Sequence, residues 1–433
     1  MRNSQVLKEM PLNLVDYARV LQAQGYRVLT ARSAEVAGTG RYLPGNVRDN
    51  SFFMDGQPWY NIGLDGTKSN PKVFQNEWEV LKASGVLERR VLDEDKDAVY
   101  MAFMAAKDAL DDARMKPEEL KGVIVASISN PNRYPSMAAK ITEMLGARNV
   151  NYAVDLAGAC AGSCFAVGHA ADRIMYNEQG PYLIVGLEHL TKQADYVERD
   201  INSNLFSDGA GAMILKPGSD LEKGVQGLAT SADPHDNKLN YILHDGRNMC
   251  RMAFGKYVFI HASKTMADLA QKAADAAGWH LDDVIFDPHQ ANLWIIHKAG
   301  DVAGVPLEKT LINVHKYGNM SSATWLIALD EARKEGINTN QWVYLRHLNK
   351  LKNMNAIGIH PEYRERPPMT LEEMDLVLSG TALKNDQIAL DYRDLLKVGT
   401  GQQPRLIKVK EGSKVLGDAF GSGLVAGAVP IQF

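Results

Sequence analysis

The sequence predicts an α/β protein with mainly parallel sheets, laid out as one plan used twice. Two observations carry this. Short β-rich apolar runs alternate with stretches of helical periodicity over most of the chain. Each half also holds an apolar run that feeds a small-residue loop just ahead of a helical stretch.

Taken in order, residues 35–44 read as a strand and turn. Residues 45–75, rich in Asn, Asp, Gly and Pro, read as a long loop. Residues 100–114 have the spacing of an amphipathic helix, and the run Val123-Ile124-Val125-Ala126-Ser127 reads as a buried strand. A helix over 136–145 follows, then a strand over 152–156 that ends at a turn carrying Cys160. Further strands are expected over 182–185 and 212–215. In the second half, residues 259–277 read as a long helix and 284–286 as a strand running into His289. A helix over 293–303, a strand over 311–314 and a helix over 321–336 complete the pattern.

Two segments fall outside it. Residues 1–34 form an N-terminal extension in which Leu14, Tyr17, Ala18 and Leu21 recur at helical spacing. Residues 340–410 or so read as an inserted helical segment, with a capping box at Thr370-Leu371-Glu372-Glu373 and a second helix over about 387–397. An insertion carrying its own helices is unlike the short connections of compact domains. The expected division is therefore an extension (1–34), a first half (35–220) and a second half (221–433) that includes the insertion.

A net charge of −4 gives no reason to expect a nucleic-acid partner. Three cysteines, an odd and low number, argue against a disulfide framework and fit a reducing compartment. No uncharged apolar run approaches the ~18 residues of a membrane helix. No charged start and apolar run of a signal peptide opens the chain. A cytoplasmic protein without a membrane partner is expected.

The chemistry is concentrated in three segments far apart in sequence: Asp155-Leu156-Ala157-Gly158-Ala159-Cys160-Ala161-Gly162, Asp287-Pro288-His289-Gln290-Ala291-Asn292 and Lys316-Tyr317-Gly318-Asn319-Met320-Ser321-Ser322. Each sets one reactive side chain among small residues. Cys160 follows a strand and opens a helical run, where a helix N-terminus lowers a thiol pKa. His289 follows a buried strand. Asn319 sits on a Gly-containing turn ahead of a helix, where its plain reading is an N-cap. Together they suit thioester chemistry. If a β-carboxy thioester loses CO₂, two neutral donors, His289 and Asn319, can hold the enolate oxygen, whereas a carboxylate there would repel it. The acyl group on Cys160 is then attacked, and its oxyanion needs other donors, the backbone N–H groups of Cys160 and of the Gly-rich turn at Ser422. Cys164, one turn beyond Cys160, reads as core packing, and no metal ligands accompany it. Ser207-Asp208-Gly209-Ala210-Gly211-Ala212 lacks the Gly-Lys-Ser/Thr ending of a phosphate loop and reads as structural.

With Ala37-Gly38-Thr39-Gly40-Arg41-Tyr42-Leu43-Pro44 and Phe420-Gly421-Ser422-Gly423, these segments make the chain resemble the thiolase superfamily, above all β-ketoacyl-acyl-carrier-protein synthase III. The resemblance implies a five-layered αβαβα fold, a homodimer, a Cys160/His289/Asn319 triad and an oxyanion hole at Cys160 and Ser422. It implies that Trp78 and Arg199 sandwich the coenzyme A adenine and that Asn292 touches pantetheine. Tyr134 matches the residue that enters the partner subunit's acyl pocket. Thiolases carry a second cysteine in the C-terminal Gly-rich turn, and elongating synthases have a second histidine where Asn319 stands. The family's basic carrier-docking positions here read Trp294, Asp301 and Val302. The implied reaction loads an acyl group from acyl-CoA on Cys160. Decarboxylative condensation with a malonyl thioester of a carrier protein or of coenzyme A follows, in a specialised fatty-acid or polyketide pathway. No cofactor and no metal are implied, since coenzyme A or phosphopantetheine thioesters are substrates. Acyl transfer to a hydroxyl or amine, and condensation without decarboxylation, are the alternatives.

Overall fold

The structure is a computed structural model and describes residues 32–75, 77–132, 134–177, 180–235, 241–338 and 406–433, with only the backbone of Trp78. The expected N-terminal helix and nearly all of the inserted segment lie outside the described residues.

The first sheet contains β1 (Ser33–Tyr42), β2 (Gly122–Ala126), β3 (Tyr152–Leu156), β4 (Tyr182–His189) and β5 (Asp208–Gly218), in the order β1-β5-β4-β2-β3. The second contains β6 (Gly224–Val225), β7 (Ala229–Ala232), β8 (Val284–Pro288), β9 (Lys414–Gly421) and β10 (Val425–Gln432). Its order is β6-β10-β9-β8, with β7 also on β10. The halves share one strand order up to the last position: in each, the final strand lies beside the opening one, with the remaining strands continuing on its other side. In the second half the place of β3 is taken by a single parallel bridge from Phe286 to Thr310. The strand expected over 311–314 is thus a correction: Leu311 N–H bonds Phe286 O at 2.8 Å, and the chain then turns into a helical stretch, Val314–Tyr317. The sheets are mixed, not mainly parallel. Only β2–β3, β2–β4 and β8–β9 pair parallel, because the last strand of each half runs antiparallel to both neighbours. Residues 45–75 are not a plain loop either: Asn46–Asp49, Trp59–Ile62 and Lys68–Lys72 are short strands.

Period-two alternation sorts the strands into five layers. On β2, Val123 and Val125 face α2 (Ala98–Ala113) and α3 (Met137–Leu145), the short helix α1 (Glu77–Ser84) lying outside this layer. Ile124 and Ala126 face α4 (Gly162–Asn177) and α7 (Thr324–Lys334), which form the central layer. Across that layer, Val415 and Ala419 of β9 share the same cluster, while Leu416 and Phe420 pack on α5 (Gly255–Ala276) and α6 (Leu293–Ala303). The layers run α2/α3, first sheet, α4/α7, second sheet, α5/α6. A strand buried on both faces reads as an unbroken apolar run, as β2 and β4 do.

Local chemistry sets the helix ends near the site. Asp97 caps α2 by accepting from Tyr100 N at 2.9 Å. Asp155, on β3, takes Met137 N at 2.8 Å and Ala138 N at 2.9 Å, so the start of α3 is pinned to the strand that leads to Cys160.

Candidate active site

Cys160 sits in a tight turn, Ala159–Ala161, between β3 and α4. Ala159 has φ +46°, a left-handed conformation rare outside glycine, and so marks a strained corner just ahead of the thiol. Two other turns press on this one: Ser321–Ala323 ahead of α7, and the end of β9. A Cβ placed on Gly421 would lie 2.9 Å from Cys160 N, so the Gly-rich turn and the Cys160 amide are in contact range. Ser422 Oγ donates to Ile242 O at 2.5 Å and ties this turn to the hairpin strand Ile242–His244.

Asn319 is held by its backbone. Its N–H donates to Leu205 O at 2.8 Å and its carbonyl accepts from Ser207 N at 2.9 Å. Gly318 has φ +71°, and a Cβ there would lie 3.0 Å from Ser207 Cβ, so glycine is required beside it. The side chain joins its plain and functional readings: Oδ1 accepts from Ser321 N at 2.8 Å, and Nδ2 donates to Ala291 O at 3.3 Å, keeping one N–H free of that bond. His289 N donates to Asp418 O at 2.6 Å, and Nδ1 lies 2.6 Å from Thr324 Oγ1.

One cavity of about 280 Å³ is lined by Cys160, His289, Asn319, Ser321, Asn292 and Ser422 together with mostly apolar side chains. Five of the predicted residues therefore meet at one place. Asn292 caps α6, its Oδ1 accepting from Trp294 N at 2.8 Å. Arg199 lies apart from this cavity's lining. Its guanidinium bonds Asp55 at 2.6 and 2.9 Å and lies over the Trp59 ring at 4.3 Å. The side chain of Trp78 is outside the described residues. Tyr134 is 84% exposed on the loop before α3. Cys164 is buried in the core, and Asp208 opens β5, where it accepts from Leu92 N and Thr191 N, each at 2.9 Å, a structural place.

The electrostatics reverse one expectation. Burial pushes the Cys160 thiol up to about 12, with the charge of Glu188 adding to the rise and the Ser321 hydroxyl opposing it. A helix N-terminus alone would lower it, but here desolvation is the larger effect. Burial also pushes His289 down to about 3, so its resting ring is neutral. Glu188, at the C-terminal end of β4, is raised by burial to about 7. It accepts from Ile128 N at 3.2 Å and from Ser129 Oγ at 2.5 Å, and Ser322 Oγ lies 3.3 Å away. Glu188 and Thr324 are the site residues that motif reading missed. The signal for Glu188 was present: a charged residue closing the apolar run Tyr182-Leu183-Ile184-Val185-Gly186-Leu187. Among the described residues no cluster of His, Cys, Asp and Glu could hold a metal ion, and no helix is long and apolar enough to cross a membrane.

Comparison with known proteins agrees with this geometry. The family model described as 3-oxoacyl-[acyl-carrier-protein] synthase III matches residues 154–234, and the one described as the C-terminal part of the same enzyme matches 274–345. The β-ketoacyl-[acyl-carrier-protein] synthase III of Aquifex aeolicus is 34% identical over 304 residues, spanning 70% of this chain and 91% of that protein. Its counterpart in Paracoccus denitrificans is 33% identical over 317 residues, spanning 70% and 92%. Among solved structures, the Aquifex aeolicus synthase III superposes with a TM-score of 0.66 at 26% identity, covering 92% of this chain and all of that one. The priming β-ketosynthase of the R1128 polyketide pathway gives 0.66 at 26% identity, covering 94% and 98%.

Proposed function

The chain belongs to the β-ketoacyl-[acyl-carrier-protein] synthase III family and is a condensing acyltransferase, and from that premise we propose that it elongates an acyl group held on Cys160 by decarboxylative Claisen condensation. The acyl group comes from acyl-CoA. A malonyl thioester of a carrier protein, or of coenzyme A, then loses CO₂, and its enolate carbon attacks the acyl carbonyl. A C–C bond forms, the bond to Sγ breaks, and the thiolate leaves to be protonated again. The observation that carries this reading is the convergence of Cys160, His289, Asn319 and the Ser422 turn on one mostly apolar cavity. Asn319 Nδ2 has an N–H to spare for the enolate oxygen. The N–H groups of Cys160 and of the Ser422 turn suit the tetrahedral oxyanion. Coenzyme A or phosphopantetheine thioesters are the substrates, and the reaction needs no further cofactor. The exposed Tyr134 fits a homodimer in which it reaches the partner subunit's acyl pocket. The acyl carrier protein in the relatives' names supports a carrier-bound malonyl thioester as the first candidate donor.

Intact-mass analysis after treatment with a panel of acyl-CoA thioesters tests the reading. The wild type should gain one acyl group and Cys160→Ala none. An adduct that survives in Cys160→Ala would remove the nucleophile assignment.

A further inference from the structure

Two steps make opposite demands on His289. To load Cys160 it must offer a lone pair that takes the thiol proton. To stabilise the enolate it must offer an N–H. Nδ1 is engaged with Thr324, so Nε2 is the nitrogen left for the cavity, and what Nε2 carries is decided at Nδ1.

Three groups meet Thr324 Oγ1: His289 Nδ1 at 2.6 Å, Gln290 N at 3.2 Å and Ser321 O at 3.0 Å. A hydroxyl has one hydrogen and two lone pairs. Gln290 N–H can only donate and Ser321 O can only accept. If the hydroxyl hydrogen points to Ser321 O, the two lone pairs receive Gln290 N–H and an Nδ1–H, and every group is matched. If it turns to Nδ1, Ser321 O keeps only the Thr324 N–H. Thr324 is buried, so the donor that Ser321 O loses in that setting, and the Oγ1 lone pair left unused, find no easy replacement.

We propose that Thr324 is a positioning residue that sets the tautomer of His289, holding the proton on Nδ1 and leaving the Nε2 lone pair to the Cys160 cavity. This rests on the acyl-loading reading above. In loading, the Cys160 thiol proton passes to Nε2 as Sγ attacks the thioester carbonyl. The new S–C bond forms, the bond to the coenzyme A sulfur breaks, and the proton passes from Nε2 to that sulfur. Nδ1–H stays on Thr324 throughout, and the ring returns neutral. With the proton held on Nδ1, Nε2 has no hydrogen for the enolate of the condensation step, and that donor role falls to the Asn319 Nδ2–H.

The test uses Thr324→Val, which keeps the shape and removes the hydroxyl, and Thr324→Ser, which restores it. Three quantities are read: the single-turnover rate of Cys160 acylation, the rate of malonyl-thioester decarboxylation, and the ¹⁵N shifts of the His289 ring. The wild-type ring should show a protonated Nδ1. Thr324→Val should slow acylation by about tenfold or more, slow decarboxylation much less, and shift the ring toward protonation at Nε2. Thr324→Ser should recover all three. An unprotonated Nδ1 in the wild type would overturn the proposal whatever the variants do. So would equal losses in both half-reactions with an unchanged ring signature, or unimpaired acylation in Thr324→Val. If wild-type Cys160 takes no acyl group, the functional reading fails instead, and the ring spectrum still decides the tautomer.

Discussion

A thiol held at about 12 against an ordinary 9.0 carries a kinetic signature that alkylation reads directly. The difference of three units lowers the thiolate population about 1,000-fold at any pH below 9, equivalent to ~4 kcal/mol. At pH 7 only about one Cys160 in 10⁵ is ionised at rest. Iodoacetamide needs the thiolate and brings no base of its own. Its rate at Cys160, followed by intact mass from pH 6 to pH 10, should therefore rise tenfold per pH unit with no plateau. Cys164 is buried away from the cavity and should stay unmodified, whereas Cys250 lines the same cavity, so its share is read from Cys160→Ala under the same conditions. Acylation by an acyl-CoA should depend far less on pH if, as proposed, His289 takes the proton as Sγ attacks. An alkylation plateau with a midpoint below pH 9 would refute the argument. It would mean that the helix N-terminus and the Ser321 hydroxyl outweigh desolvation, and that Cys160 rests as a thiolate.

Two further outcomes follow from neighbouring groups. Asn319→Ala removes the Nδ2 donor and should cut malonyl decarboxylation by 10²–10³-fold, about 3–4 kcal/mol, while acyl loading of Cys160 persists. Equal loss of both activities, in a variant whose melting temperature is unchanged, would place Asn319 outside the enolate site. Glu188 is raised to about 7 in the fold from an ordinary 4.5, so the unfolded chain ionises first and stability falls as pH rises from 4.5 to 7. Glu188→Gln removes that loss, so above pH 7 it should be more stable than the wild type by up to ~3 kcal/mol. Below pH 4 the gain should vanish. It should also lower the Cys160 pKa and speed alkylation at pH 8. A melting profile for Glu188→Gln parallel to that of the wild type across this range would show that Glu188 does not titrate as described.

The two-halved α/β plan was legible because strands buried on both faces write unbroken apolar runs, and because residue types at turns announce the chemistry. Helix 293–303 was read to the residue, since Asn292 and Gly304 mark its ends. The sheet direction was not legible. The antiparallel placing of β5 and β10 depends on which neighbour each strand finds, a tertiary choice that leaves no mark in the strand itself. Within 45–75, Lys68–Lys72 was hidden by its polar, exposed composition, and Trp59–Ile62, though buried at both ends, is only four residues long. At the site, the residues of three distant motifs meet at one cavity, but the sign of the Cys160 shift was misread. A helix start is visible in sequence, whereas the depth of the desolvated pocket around it is created by residues from β9, the Ser321 turn and β4.

That depth has a consequence for how the site works. A resting thiolate would be open to oxidation and to any electrophile that enters. A thiol at about 12 beside a ring at about 3 holds both groups neutral until an acyl donor arrives. Proton transfer between them from the resting state is strongly uphill as a free step, because burial disfavours both the thiolate and the imidazolium. In the proposed loading step it becomes feasible in concert with attack, when the proton can move on to the departing coenzyme A sulfur. Reactivity is therefore tied to the presence of a thioester positioned in the cavity. Burial, which looks adverse to a nucleophile, is what confines its chemistry to the acyl donor that fits.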